Sequence, residues 1–158
     1  MSKSYNIALL GCGKVARLHA RAISEIPHAR LAGVWSRTRS SADAFAEEFH
    51  TVSYSTPTEL VHREAIDLAI VCTPHLFHTA AALEVIAAGA HVLVEKPLAI
   101  DPFDCDRMIE AAGLAEVRLG VVSQRRWYAP AIRVKAAIDA GKIETPALGM
   151  VTMLGWRD

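Results

Sequence analysis

The chain has 158 residues, enough for one domain of ordinary size with little left over. Hydrophobic residues make up 52% of the chain and charged residues 22%, so the sequence can form a core and is not disordered. Its 17 basic side chains balance its 17 acidic ones, which argues against a nucleic-acid platform or a basic membrane-surface protein.

Other features of the whole sequence exclude further classes of protein. No apolar stretch approaches the roughly 18 residues of a membrane span, and the amino terminus lacks the form of a signal peptide. The three cysteines, Cys12, Cys72 and Cys105, are too few and too scattered for a disulfide framework or a zinc site. We therefore expect a cytoplasmic protein that holds no metal.

Short apolar runs alternate with helical patterns along most of the chain. The runs predict strands over 5–10, 31–35, 52–54, 67–72, 91–94 and 117–122. Helices are predicted over 14–26, 40–49, 76–88 and 101–112, with a shorter one after Thr56-Pro57. This order predicts an α/β fold with a doubly wound parallel sheet.

The end of the sequence follows a different pattern. A helix is predicted over 130–140 and a strand over 148–156, and such a strand has no partner within the chain. We therefore expect a first domain over 1–122. Residues 123–158 would form a bridge and the first strand of a second, truncated α+β domain.

A glycine-rich turn lies between the first strand and the first helix. It reads Gly11-Cys12-Gly13-Lys14-Val15-Ala16, or G-x-G-x-x-A. Gly11 would allow a sharp turn, Gly13 would let a pyrophosphate approach the backbone, and Ala16 would let the helix pack closely on the strand. The turn predicts a dinucleotide site, although a glycine turn of some other α/β protein has the same pattern.

The end of the second strand bears on the choice between NAD and NADP. An acidic residue is typical of NAD sites at this place, but the segment contains Ser36, Arg37 and Arg39 instead. Their charges and hydroxyl suit a ribose 2′-phosphate, so we expect NADP more than NAD. The alternative is that the two arginines are solvated surface residues.

Two further turns follow strands four and five and are expected at the ligand crevice. The first contains Cys72, Thr73 and Pro74, and the second contains Glu95 and Lys96, followed by Pro97. Neighbours in extended chain point in opposite directions, so Lys96 can face the crevice while Glu95 does not. A lysine there can stabilise the alkoxide that develops when hydride leaves a carbinol, whereas an ordinary strand-end lysine is merely solvated.

The sequence resembles the Gfo/Idh/MocA oxidoreductase family. The resemblance covers nearly the whole chain and rests on the glycine turn, Ser36-Arg37, Thr73-Pro74 with His78, and above all Glu95-Lys96-Pro97-Leu98. It implies a Rossmann domain that binds NAD or NADP, followed by a second domain that carries much of the substrate pocket and mediates homo-oligomers.

The resemblance also implies roles for individual residues. Lys96 would be the catalytic or substrate-positioning lysine, and Glu95, Thr73, Pro74 and His78 would line the nicotinamide half of the site. Ser36 and Arg37 would hold the adenosine end. Arg126, in the bridge, is a candidate substrate contact, or part of a plain interface patch.

The sequence thus predicts an NAD(P)-dependent dehydrogenase or reductase acting on a sugar, inositol or related polyol. Two alternatives remain. One is a cofactor-sensing regulatory module without catalysis, and the other is a Rossmann-type domain for another ligand, such as a methyltransferase or a coenzyme A binder.

Overall fold

The computed structural model describes residues 3–144 and contains a parallel sheet with the strand order β3-β2-β1-β4-β5-β6. The strands are β1 (Tyr5–Leu10), β2 (Ala29–Trp35), β3 (Val52–Tyr54), β4 (Leu68–Val71), β5 (His91–Val94) and β6 (Leu119–Val121). The helices are α1 (Lys14–Ser24), α2 (Arg39–Glu48), α3 (Pro57–Arg63), α4 (His78–Ala87), α5 (Pro102–Leu114) and α6 (Ala129–Asp139). The predicted doubly wound fold is confirmed.

Helices cover the sheet on both faces, which explains why its central strands are apolar without alternation. On one face α1 and α2 bury Ala16, Ile23 and Phe45 against Leu9 and Ile70. On the other face α3, α4 and α5 form a second apolar layer with β1, β4 and β5. That layer includes Leu10, Leu60, Val71, Val85, Val94 and Met108.

The strand order reverses beside β1, and this reversal positions the candidate site. Leu10 pairs with Trp35 of β2 and with Val71 of β4. Beyond this point the Gly11 N–H donates to the Trp35 carbonyl at 2.7 Å, and the Cys72 N–H donates to the Leu10 carbonyl at 2.7 Å. After those bonds the chain leaves the sheet toward different faces, which opens a crevice at the carboxyl ends of the strands.

One predicted helix differs in detail. The segment predicted as one helix over 76–88 is a short 3₁₀ helix, His75–Phe77, followed by α4 from His78. Phe77 has φ −112° and ψ 3°, so it breaks the α-helical path between the two pieces. The other described elements lie within a few residues of their predicted bounds.

The chain divides into two compact units, Met1–Val122 and Ser123–Asp158. The described part of the second unit contains a 3₁₀ helix, Gln124–Trp127, and α6. The strand predicted over 148–156 lies outside the described residues.

Candidate functional site

An open cavity of about 570 Å³ lies at the carboxyl ends of β1, β2 and β4. Three turns supply its lining: the glycine turn before α1, the turn between β2 and α2, and the turn after β4. The lining residues are Gly11, Cys12, Gly13, Lys14, Val15, Ser36, Arg37, Thr38, Ser41, Cys72, Thr73, Pro74 and His75. Most of the predicted cofactor residues therefore share one cavity.

The glycine turn has the geometry that its sequence predicts. Gly11 has φ +102°, and a Cβ on it would lie 2.6 Å from the Cys72 carbonyl oxygen. Gly13 is the N-cap of α1 and has open space on its Cβ side, so a ligand can approach its backbone closely. Ala16 is buried between α1 and the sheet rather than in the cavity. The first-turn N–H groups of α1 lack helical acceptors, as at any helix start, and form an anion-binding end.

Arg17 supports this turn, and the sequence analysis missed it. Its Nη1 donates to the Cys12 carbonyl at 3.0 Å, and its Nη2 lies 2.9 Å from a carboxylate oxygen of Glu48 on α2. The guanidinium carbon also lies 5.4 Å from the centroid of the Phe45 ring. Its position four residues after Gly13, one helical turn on, is the signal that could have identified it.

At the end of β2, the structure separates the two candidate arginines. Arg37 lines the cavity, and its guanidinium carbon lies 3.6 Å above the centroid of the Phe77 ring. Arg39 does not line the cavity, because it begins α2 and pairs with Asp43 one turn further on, at 2.9 Å. Arg39 therefore lies outside the cavity that Ser36 and Arg37 line, and this placement does not support its expected contact with the cofactor.

The turn after β4 contributes an unsatisfied polar group to the lining. Thr73 is 6% exposed, and its Oγ1 has no hydrogen-bond partner among residues 3–144. A buried hydroxyl without a partner costs about 1–3 kcal/mol, so such a group beside a cavity fits a polar ligand. This observation supports a polar cofactor at the Thr73-Pro74 turn.

His78 does not line the cavity, contrary to expectation, because its side chain is fully buried. Its Nδ1 lies 2.8 Å from the Pro97 carbonyl oxygen, and its Nε2 lies 2.9 Å from the Thr73 carbonyl oxygen. A neutral imidazole can donate to only one of these oxygens, and an imidazolium can donate to both. His78 thus links the turn after β4 to the turn after β5.

Glu95 and Lys96 occupy the turn after β5 and point differently. Glu95 is half-buried, and its Oε1 lies 2.9 Å from Nε2 of His19 on α1. Its Oε2 accepts the Lys96 backbone N–H at 3.2 Å. Lys96 is exposed, which leaves its ammonium accessible to a ligand. Neither residue lines the cavity described above.

The two cysteines near the cavity are poor nucleophiles. Burial raises the pKa of Cys12 to about 11. Burial, with a smaller contribution from the Glu95 carboxylate, raises the pKa of Cys72 to about 12. Both thiols therefore remain protonated at neutral pH, and their place is packing around the glycine turn.

Arg126 belongs to the second unit. It lies in the 3₁₀ helix Gln124–Trp127, is exposed, and borders a shallow groove that Ile132 and Asp139 of α6 also line. Its role toward substrate stays a prediction.

Residues 3–144 lack two features that would indicate other functions. They contain no group of three His, Cys, Asp or Glu side chains placed to hold a metal ion. They also contain no helix with the length and apolar character needed to cross a membrane.

Comparison with known proteins identifies a family. The model of the GFO_IDH_MocA oxidoreductase family, NAD-binding Rossmann fold, matches residues 5–123. That range includes the glycine turn, both later turns and all six strands.

Individual relatives show the same similarity. The chain is 35% identical over 112 residues to glucose-6-phosphate 3-dehydrogenase of Bacillus subtilis, covering 71% of this chain and 31% of that protein. It is 28% identical over 147 residues to myo-inositol 2-dehydrogenase of Thermotoga maritima, covering 92% of this chain and 44% of that protein. The WlbA dehydrogenase of Bordetella pertussis, solved with NADH and UDP-GlcNAcA, superposes with a TM-score of 0.86 at 30% identity, over 91% of this chain and 42% of that one. The chain thus spans less than half the length of each of these relatives.

Proposed function

Because the chain belongs to the Gfo/Idh/MocA oxidoreductase family, we propose that it is the cofactor-binding part of an NAD(P)-dependent dehydrogenase or reductase. The substrate class we propose is a sugar, an inositol or a related polyol. Relatives named as inositol and glucose-6-phosphate dehydrogenases support this class. This chain covers 31% and 44% of those two relatives, and we propose that the enzyme also has a second, substrate-binding domain. We expect the full-length protein to form homo-oligomers and to work in the reducing cytoplasm.

The observation that carries the proposal is the glycine turn in the cavity. Gly11 and Gly13 bring bare backbone to the amino end of α1, where free N–H groups and the helix dipole favour an anion. Thr73, whose hydroxyl has no hydrogen-bond partner among residues 3–144, lines the same cavity. A dinucleotide fits this arrangement, with its pyrophosphate at α1 and its nicotinamide toward Thr73 and Pro74.

Arg37 and Ser36 would hold the adenosine end. Among residues 3–144, no acidic side chain lines the cavity, so none of these lining residues repels a 2′-phosphate. The Arg37 guanidinium, already placed over the Phe77 ring, can donate to that phosphate with little further loss of side-chain freedom. This supports a preference for NADP over NAD.

Lys96 would act on the substrate rather than on the phosphates. The bound nicotinamide supplies hydride acceptance or donation at its ring. The exposed Lys96 ammonium would hydrogen-bond the substrate oxygen, orient it and stabilise negative charge that develops there. It would also hold or move the proton at that oxygen.

Cofactor binding is tested by titrating the chain with NADPH and NADH and following nicotinamide fluorescence. Gly13→Asp places a side chain and a negative charge at the proposed pyrophosphate position, and we expect it to abolish binding. Gly113→Asp is the matched control, because Gly113 lies in α5 with open space around it. Equal binding by Gly13→Asp and the unsubstituted chain would refute the site.

The coenzyme preference is tested with Arg37→Ala. We expect a loss of NADPH affinity of roughly 10-fold or more, because a charge-assisted hydrogen bond contributes about 1.5–3 kcal/mol. NADH affinity should change far less, and Arg39→Ala should leave both affinities unchanged. An equal loss for both coenzymes with Arg37→Ala would contradict the 2′-phosphate assignment.

A cofactor-sensing module is separated from an enzyme with Lys96→Met in the full-length protein. The enzyme hypothesis predicts unchanged coenzyme affinity and loss of turnover with polyol or sugar substrates. Binding of either coenzyme without turnover by the unsubstituted protein across that substrate class would favour the regulatory module.

A further inference from the structure

His19 forms a contact that joins the two halves of the proposed site. Its Nε2 lies 2.9 Å from Oε1 of Glu95, across 76 residues of sequence. The two side chains are 20% and 14% exposed, so water competes little for this pair. No sequence pattern predicts a role for His19.

Each oxygen of the Glu95 carboxylate has its own hydrogen-bond partner. Oε1 meets His19, and Oε2 accepts the Lys96 backbone N–H at 3.2 Å. The Glu95 backbone N–H in turn donates to the Val71 carbonyl at 2.9 Å, which ties the turn to β4. One carboxylate therefore connects α1 with the backbone of Lys96.

The two ends of this connection carry different parts of the proposed reaction. Helix α1 begins at Lys14, directly after the Gly13 N-cap where the pyrophosphate would bind, and the turn after β5 presents Lys96 to substrate. A rigid link between them fixes the distance from coenzyme to lysine, and small errors in such distances are costly in rate.

The contact also keeps two opposite charges apart. Glu95 points to the face of the sheet that α1 covers, while the ammonium of its neighbour Lys96 is exposed. Without His19, a partly buried carboxylate would lose one of its two partners. The nearest mobile cation in sequence is Lys96 itself, and an ion pair with Glu95 would withdraw the ammonium from substrate.

On these grounds we propose that His19 is a positioning residue for Lys96, acting through the Glu95 carboxylate. The inference rests on the proposed role of Lys96 in the reaction. His19 would hold Glu95 against α1, fix the Lys96 backbone and leave the Lys96 ammonium free for the substrate oxygen.

The test uses the full-length protein with His19→Leu, which removes the donor, and His19→Gln, which restores an N–H near the Nε2 position. His62→Leu is the control, because His62 is an exposed histidine on α3. Two quantities are measured for each variant: steady-state kcat and KM, and the rate at which acetic anhydride acetylates Lys96, followed by mass spectrometry.

We expect His19→Leu to lower kcat roughly 10- to 100-fold, with coenzyme affinity unchanged. Lys96 acetylation should slow severalfold as the ammonium pairs with the released carboxylate, while acetylation of Lys14 stays constant. His19→Gln should restore both quantities most of the way, and His62→Leu should match the unsubstituted protein.

If His19→Leu fails to fold, Glu95→Gln serves in its place. It removes one of the two carboxylate oxygens that accept hydrogen bonds, and it should lower kcat without slowing the acetylation of Lys96.

Two outcomes would overturn the inference in different ways. Unchanged kcat and unchanged Lys96 acetylation in folded His19→Leu would show that the contact is only structural, while loss of turnover in Lys96→Met would leave the proposed function intact. Unchanged turnover in Lys96→Met would refute the role of Lys96 itself, and with it the role proposed for His19.

Discussion

At the scale of single residues, Gly11 determines whether the cavity can form. Its φ of +102° lies in the region that favours glycine, and its α-carbon faces the Cys72 carbonyl closely. The same residue that allows the turn therefore brings β1 and β4 together at the crevice. The sequence pattern predicts this position well because the requirement concerns backbone geometry alone.

We expect Gly11→Ala to lower the free energy of unfolding by about 2–5 kcal/mol, since it adds backbone strain and a 2.6 Å contact with the Cys72 carbonyl oxygen. Urea denaturation measures this loss. Gly89→Ala is the matched control, because Gly89 has φ +87° but open space, and it should lose only about 1–2 kcal/mol. Equal losses would show that the contact with Cys72 is not what makes Gly11 necessary.

His78 shows where residue-level prediction stops. The sequence predicts that His78 lies near the crevice at the glycine turn. It does not predict that the side chain is buried, because the burial depends on Pro97, which lies 19 residues later and whose carbonyl oxygen contacts the imidazole. Arg39 differs, because its partner Asp43 lies one helical turn further on, and such an ion pair is a local pattern. The burial of His78 depends instead on a partner that a local pattern does not contain.

At the scale of elements, the capping residue before α5 predicts where that helix begins, whereas periodicity does not predict the break before α4. Asp101 and Pro102 mark the start of α5 in the sequence, and the Asp101 Oδ1 accepts the Phe103 N–H at 2.8 Å. The segment from His75 lacks such a cap, and its apolar spacing fits both one helix and the observed 3₁₀ turn followed by α4. The predicted start is therefore right to within one residue at α5 and wrong at α4.

Asp101→Ala should destabilise the protein by about 1 kcal/mol, because the cap hydrogen bond to the first turn of α5 is lost. Thermal denaturation of the chain measures this as a decrease in Tm. Asp106→Ala, an exposed acid inside the same helix, should change Tm little or raise it slightly, since alanine is the better helix former. A larger loss from Asp106→Ala than from Asp101→Ala would contradict the capping role.

The amino ends of β1 and β4 are joined by a carboxylate that titrates in acid. Asp67 Oδ2 accepts the Asn6 N–H at 2.9 Å, and Oδ1 lies 2.8 Å from Lys3 Nζ. Lys3 first, and then the Asn6 N–H, hold the pKa of Asp67 below its ordinary 3.8. Because the folded-state pKa is lowered, this stabilisation is present above the unfolded pKa and is lost as the pH falls through the folded one.

Asp67→Asn should therefore lower the free energy of unfolding at pH 7, and the difference from the unsubstituted chain should shrink as the pH falls below about 3.8. Urea denaturation at pH 7, 5 and 3 measures the trend. A difference that stays constant over this range would show that the charge of Asp67 contributes nothing beyond its hydrogen bond.

At the scale of the whole molecule, an apolar layer covers each face of the sheet. Continuous apolar strands require cover on both faces, so alternating strands and helices in one chain lead to a doubly wound sheet. The fold and the crevice could therefore be predicted from the sequence. The link from His19 to Glu95 could not, because it joins residues 76 positions apart that no local pattern relates.

The layer on the α1 and α2 face depends most on Phe45. Its ring is fully buried, stacks at 4.6 Å from Phe49 and packs in the layer that includes Ile70. Phe45→Ala should cost about 3–5 kcal/mol, as is typical of a buried phenylalanine. Phe103→Ala removes the same side chain from a position that is 70% exposed on α5, and it should change stability by less than about 0.5 kcal/mol.

The Phe45 ring also underlies Arg17, which supports the glycine turn. Phe45→Ala should therefore weaken NADPH binding at temperatures where the protein is still folded, whereas Phe103→Ala should not. Fluorescence titration below the melting transition separates the two effects, and unchanged coenzyme affinity in folded Phe45→Ala would show that the turn does not depend on the layer beneath it.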